Sequence, residues 1–149
     1  MLDGLERAGV GYWVAGGWGV AALVGRQTRE HRDLDLAVDT RGLAQCLDAL
    51  EGLGYVRETD WLPVRVEYAA AGRGWVDVHP VEIFAEGHGR QRGMGGHDFV
   101  YPASCWAVDR LGGRRAPCLS AEQQRVFHSG YAPRPEDVHD LAQLDALGC

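Results

Sequence analysis

The sequence predicts an α+β domain with helices packed on a mixed sheet, and three observations carry that expectation. Strand-like and helix-like stretches alternate along the opening part of the chain, two stretches of period-two alternation meet across an Ala-Gly turn, and two helical patterns close it.

Taken in order, "LDGLERAG" reads as a short helix ending at a glycine, and "GYWVA" as a strand running into a Gly-Gly pair. Residues 18–24, "WGVAALV", are apolar on most sides and stop at Gly25, the pattern of a buried helix with a glycine C-cap. "DLDLAV" is a strand, "RGLAQCLDALEGLG" an amphipathic helix with Leu43, Cys46, Leu47 and Leu50 on one face, and "YVRETD" another short strand. "PVRVEYAA" and "GWVDVHPVEI" form the antiparallel hairpin, and the glycine-rich "AEGHGRQRGMGGHD" reads as a flexible loop. Ser120 with Gln123 is a capping-box pattern opening "SAEQQRVFHSG". Pro135 suits the first turn of "PEDVHDLAQLDAL", whose apolar positions are Val138, Leu141 and Leu144.

A chain of 149 residues with 46% hydrophobic content is the size of one domain. The expected division is a single unit over 1–149, with a sheet-containing core over about 1–110 and C-terminal helices over about 119–147. No basic leader with a long apolar stretch and no apolar run of about 18 residues occurs, so a cytoplasmic protein without a membrane span is expected. Cys46, Cys105, Cys118 and Cys149 form no CxxC pair and read as reduced thiols. The formal charge of −6 argues against a nucleic-acid partner. All 15 basic residues are arginines, which excludes Schiff-base chemistry through lysine and leaves arginine or a bound cation to meet any phosphate.

The stretch "REHRDLDLAV" places Asp33 and Asp35 on one face of a strand while Leu34, Leu36 and Val38 point into the core. With Cα atoms roughly 6–7 Å apart, the two charges repel by about 2–3 kcal/mol at an effective dielectric near 20. Arg29, Arg32 or a divalent metal must offset this, and hard cations such as Mg²⁺ prefer carboxylate oxygens. In "WVDVHP", Trp75, Asp77 and His79 share a face, so Asp77 is a third acid set in an apolar strand. If the two strands pair, three carboxylates converge in a cluster able to hold two Mg²⁺ ions beside a nucleoside triphosphate. Otherwise Asp77 is a hairpin partner of Arg65 or Arg73. Gly16 and Gly17, between a strand and a helix, allow close backbone approach and present unpaired N–H groups to a phosphate; Trp18 and Arg29 are counted with that seat. His79, Glu82 and Glu67 neighbour the acids and are candidate contacts for a polar or cationic acceptor. His31 adjoins the acid strand, as a phosphate contact or as a local hydrogen-bond partner.

"WVAGGWGVAALVGRQTREHRDLDLAVD", "WLPVRVEY", "WVDVHPV", "PCLSAEQQRVFHSGY" and "EDVHDLAQL", in this order from about Tyr12 to Leu144, resemble the lincosamide nucleotidyltransferases. These lie within the wider group of small antibiotic nucleotidyltransferases that includes the aminoglycoside 2″-adenylyltransferases. The resemblance implies a polymerase-β-like nucleotidyltransferase fold, dependence on Mg²⁺, and transfer of a nucleoside monophosphate from ATP or another nucleoside triphosphate to a hydroxyl of a small-molecule antibiotic, causing resistance. It matches Gly16-Gly17 to the phosphate-binding motif, Asp33 and Asp35 to the metal-binding acids, and Asp77 to the third acid, as metal ligand, general base or both. It also makes His128, Tyr131, Asp137 and Asp140 candidates for shaping the nucleotide pocket, and it implies a homodimer. The chain departs from the family pattern at Ala21, where aspartate is usual, and at Ala15, where the lincosamide enzymes tend to carry aspartate. Two other readings use part of the same pattern: a DxD glycosyltransferase, and a repurposed nucleotidyltransferase fold acting in biosynthesis or as a binding module.

Overall fold

A computed structural model describes residues 1–128 and 131–147. Among the described residues, nine strands and five α-helices follow one another as α1 (Leu2–Arg7), β1 (Tyr12–Ala15), α2 (Gly16–Val24), β2 (Asp33–Asp39), α3 (Leu43–Gly52), β3 (Val56–Trp61), β4 (Arg65–Ala70), β5 (Gly74–Ile83), β6 (Gly89–Gln91), β7 (Phe99–Tyr101), β8 (Trp106–Leu111), β9 (Arg114–Leu119), α4 (Ala121–Phe127) and α5 (Pro135–Ala146). The main sheet runs β3-β4-β5-β2-β1-β9-β8, with β6 and β7 extending from the far end of β5. It is mixed, as expected: β2 and β5 are parallel, as are β1 and β9, and the remaining neighbours are antiparallel.

Alternation along the strands divides the sheet into two faces. Val14, Leu36, Val38, Val76 and Val78 bury themselves on one side with Cys46, Leu47 and Leu50 of α3, the face the helical spacing picked out. The other side carries Ala15, Ala37 and Val81, packed with Tyr101, Cys105 and Leu119, and the acids stand at its edge. Helix α2 begins at Gly16, two residues ahead of the expected start, and ends at Gly25 in the left-handed region with its N–H on the carbonyl of Ala21. Ser120 caps α4 by accepting from the Gln123 N–H. The Gln123 side chain turns instead to the carbonyl of Val100, so only half of the expected box forms.

Three differences from expectation have physical causes. The glycine-rich stretch is not simply a loop: β6 pairs with β5 and β7, and Gly89 is there for closeness, since a Cβ on it would lie 2.7 Å from Val81 Cγ1. The sheet continues past residue 110 through the β8–β9 hairpin, whose turn glycines Gly112 and Gly113 both have positive φ. Helix α5 exposes Val138 and buries Asp137 and Asp140 along with Leu144, so its inward face is acidic. Among the described residues, Cys46, Cys105 and Cys118 are free and buried, while Cys149 lies outside them. No described helix is long and apolar enough to cross a membrane.

Candidate active site

Parallel pairing of β2 with β5 sets Asp35 directly opposite Asp77, and antiparallel pairing of β4 with β5 sets Glu67 opposite Asp77 on the other side. Oxygens of Asp33, Glu67 and Asp77 all come within 4.8 Å of one another, as do oxygens of Asp35 and Asp77 and a ring nitrogen of His79. The three acids expected to converge therefore do, and Glu67 joins them. Asp77 is 3% exposed. Burial raises its pKa most, with the charge of Asp35 adding to the effect; Asp33 is raised for the same two reasons.

Cations meet part of this charge. Arg65 Nη1 donates to Asp77 Oδ2 at 2.7 Å while its guanidinium lies 4.9 Å from the centre of the Trp61 ring. Arg32 reaches Asp33 at 3.4 Å. Arg65 rather than Arg73 is thus the arginine partner of Asp77; Arg73 sits over Tyr55 instead. Arg29 does not offset the acids. Its Nε and Nη2 bind both oxygens of Asp140 at 2.9 and 2.7 Å, tying the segment before β2 to α5. His79 Nε2 lies 3.3 Å from Asp35 Oδ1 and 3.7 Å from Asp77 Oδ2. Burial pulls its pKa down, but the Asp35 hydrogen bond and the two carboxylate charges outweigh this and leave it raised.

The donor set suits a hard divalent cation. Four carboxylates gather against two arginines, and Asp77 Oδ1 is buried without a hydrogen-bond partner, a costly arrangement unless a cation completes it.

Gly16 and Gly17 stand where the helix start meets this cluster. Gly16 has φ +58°, and a Cβ on it would lie 2.2 Å from Asp35 Oδ2; a Cβ on Gly17 would lie 2.4 Å from His31 Nδ1 and 2.5 Å from Arg29 Nη2. Both glycines border a cavity of about 860 Å³ that reaches from Asp33, Asp35 and His79 across to His128, Tyr131 and Asp140. His31 opens on the same cavity, and both of its ring nitrogens are buried without a partner, so the local-partner alternative finds no support. Burial and the charge of Arg29 hold its pKa down.

The opposite wall is an ion cluster from α4 and α5. His128 Nδ1 faces the Gln124 carbonyl at 2.6 Å and Nε2 faces Asp140 Oδ2 at 3.5 Å, so both nitrogens meet acceptors and the pKa rises, through Asp140 first. Burial works to raise Asp140, yet hydrogen bonds from His128 and Arg29 bring it down to about 2.

Four candidates do not line this cavity, and one of them is Asp77, whose buried carboxylate meets the lining residues Asp35 and His79. Trp18 packs on the core and lies 4.6 Å from the His31 ring. Glu82 shares the strand face of Val76 and Val78, opposite to Asp77 and His79, because its position differs from theirs by an odd number; it is exposed, 3.8 Å from Arg90. Glu67 accepts from Thr59 Oγ1 at 3.3 Å and belongs with the acid cluster rather than with an acceptor pocket. Sequence reading missed Gln91, Tyr101 and His139, which all line the cavity. His139, 2.9 Å from Thr28 Oγ1, was accessible from helix spacing as a neighbour of Asp140; nothing marked Gln91 or Tyr101.

A sequence model of the aminoglycoside-2″-adenylyltransferases matches residues 1–144. A lincosamide resistance protein of Staphylococcus haemolyticus is 35% identical over 147 residues, spanning 99% of this chain and 91% of that protein. The crystal structure of the lincosamide antibiotic adenylyltransferase LnuA, lincomycin-bound, is similar with a TM-score of 0.88 and 36% identity, over 98% of this chain and 92% of the other. ANT(2″)-Ia in complex with adenylyl-2″-tobramycin shares the fold, with a TM-score of 0.77 at 18% identity over 99% of this chain and 85% of that one.

Proposed function

The chain belongs to the aminoglycoside-2″-adenylyltransferase family and is a nucleotidyltransferase, and from that premise we propose that it transfers a nucleoside monophosphate from ATP or another nucleoside triphosphate to a hydroxyl of a lincosamide-like antibiotic, with Mg²⁺ held by Asp33, Asp35 and Asp77. The observation that carries the reading is the register that sets Asp35 beside Asp77 at the foot of the Gly16-Gly17 helix start. Lincosamide is favoured over aminoglycoside as acceptor because the relatives at 35% and 36% identity are those described by lincosamides.

In this reading the acceptor oxygen attacks the α-phosphorus in line, the bond to pyrophosphate breaks, and the hydroxyl proton passes to the Asp77 carboxylate. Mg²⁺, one or two ions, supplies neutralisation of the triphosphate and a lowered pKa for the acceptor hydroxyl. The N–H groups at the start of α2 hold phosphate oxygens, and the absence of side chains at Gly16 and Gly17 lets the nucleotide approach Asp35 and His31. Burial of Asp77 favours the proton-accepting end of its range. Arg29 and His128, locked on Asp140, present a rigid, charge-paired wall to the nucleotide, and Tyr131 lies beside it. The same proposal reads the chain as one catalytic domain that works as a cytoplasmic homodimer without nucleic acid; sedimentation at micromolar concentration tests the dimer.

The test incubates the protein with Mg²⁺, each of the four nucleoside triphosphates and a panel of lincosamides and aminoglycosides, and looks for a nucleotidyl mass increase on the drug. Asp35→Asn is expected to lower transfer by more than about 10³-fold while keeping the melting temperature. Undiminished turnover in that variant, or pyrophosphate release with no modified drug, overturns the role of Asp35 or the acceptor respectively.

A further inference from the structure

Three hydrogen bonds join four side chains from four strands in a line that ends on Asp35. Tyr101 OH lies 2.5 Å from Gln91 Oε1, Gln91 Nε2 lies 3.2 Å from His79 Nδ1, and His79 Nε2 lies 3.3 Å from Asp35 Oδ1. Tyr101 is 2% exposed and Gln91 8%. We propose that Gln91 and Tyr101 are positioning residues that keep the proton of neutral His79 on Nε2, so that His79 serves the acid cluster as a hydrogen-bond donor to Asp35 and not as a metal ligand.

The inference follows from counting donors and acceptors. With the amide oriented as found, the tyrosine hydroxyl donates to the Gln91 oxygen, the amide N–H donates to the Nδ1 lone pair, and Nε2–H donates to the carboxylate. Every proton in the line has an acceptor. Turning the amide over, the usual ambiguity for glutamine, would place its oxygen against Nδ1 and require the proton there. The Nε2 lone pair would then face the Asp35 oxygen at 3.3 Å, and the buried tyrosine proton would lose its acceptor. Each of those faults costs free energy in a buried site. A group directing metal ligands from behind in this way usually sets their orientation.

The line depends on the segment that reads as a loop in sequence. Gly89 lets β6 lie close against Val81, and the Gly89–Tyr101 pairing brings Tyr101 alongside Gln91. The consequence for metal binding rests on the proposed role of Asp35; the tautomer itself does not.

Long-range ¹H–¹⁵N spectra of the full chain labelled with ¹⁵N-histidine, recorded where His79 is neutral, read the tautomer directly, with His79→Asn assigning its signals among the six histidines. The expected pattern is a protonated Nε2 and an unprotonated Nδ1, unchanged on adding Mg²⁺. Gln91→Leu and Tyr101→Phe should both move it toward the average of the two tautomers; the second removes only a hydroxyl and keeps the ring packing. A protonated Nδ1 in the wild type, transfer of the proton to Nδ1 on adding Mg²⁺, or an unaltered pattern in both variants overturns the proposal. Loss of the nucleotidyltransferase reading with this pattern intact would leave it standing.

Discussion

Arg65 Nη1 holds Asp77 Oδ2 at 2.7 Å while Asp77 Oδ1, buried in the same carboxylate, has no partner. One oxygen is thus neutralised by a protein cation and the other waits for one. The guanidinium is partly exposed and also rests over Trp61, so it can shift without losing all of its contacts. Arg65→Met removes the resident positive charge. Mn²⁺ affinity, followed by electron paramagnetic resonance in the absence of nucleotide, should rise by roughly 3–10-fold because like-charge repulsion near the site is relieved. Without metal the same variant should lose about 1–2 kcal/mol of stability, a partly exposed pair falling between surface and buried values. Weaker Mn²⁺ binding would mean that Arg65 holds Asp77 in the liganding position instead.

Gly16 meets two constraints at once, a left-handed backbone and contact with Asp35. An alanine there takes on about 1–2 kcal/mol of backbone strain. Its methyl group also falls on the Asp35 carboxylate, so the acid must move. Gly16→Ala should lower the melting temperature and reduce transfer by about 10²-fold or more, the scale of an ångström-sized misplacement. A variant that melts lower yet turns over normally would separate the backbone role from the site.

The acid cluster was legible because strand alternation fixes which side chains share a face, and "DLD" and "WVDV" needed only adjacent strands to bring their acids together. Parity also exposes the error at Glu82, which the same rule places on the opposite face. What could not be read was tertiary in origin. Arg29 lies three residues from Arg32 and in sequence reads as another neighbour of the acids, but its partner Asp140 is on α5, far away in sequence. The β8–β9 hairpin was obscured by Pro117, a residue that sequence rules keep out of strands flanked on both sides. Gln91 lies in, and Tyr101 just after, a stretch whose glycines suggested freedom, whereas Gly89 there provides room for close packing.

The Arg29–Asp140–His128 cluster makes stability depend on pH in two opposite senses. Asp140 falls from 3.8 to about 2 in the folded chain, so its contribution is present above about pH 4 and is lost as pH falls through 2. At 1.36 kcal/mol per unit this amounts to roughly 2 kcal/mol. His128 is raised above 6.5, so its contribution is full below pH 6.5 and disappears as pH rises through the folded value. The two share one contact and do not add. The cluster should hold α5 most firmly between about pH 4 and 6.5. Melting curves from pH 3 to 9 should show a stability maximum there that Asp140→Asn flattens, and an unchanged pH profile in that variant would rule the cluster out as its cause.

Ala21 is 1% exposed and stands one helical turn beyond Gly17, on the same face of α2. That face looks toward His31, because a Cβ on Gly17 would nearly touch His31 Nδ1. Both His31 nitrogens are buried without partners, and burial together with Arg29 holds the pKa of the ring down. Ala21→Asp would introduce a carboxylate one turn along that face, near an arginine, Arg29, that is already bound to Asp140. The His31 pKa should then rise by about one unit or more, as an adjacent opposite charge does in a buried setting. With the folded value raised, the stabilising contribution of the new pair is present at low pH and fades as pH climbs past it. Histidine NMR titrations, with His31→Asn assigning the signal, measure the shift, and melting curves measure the linked stability. A His31 titration that does not move would show that the new carboxylate finds another partner and that the orphaned nitrogens are reserved for a ligand in the cavity.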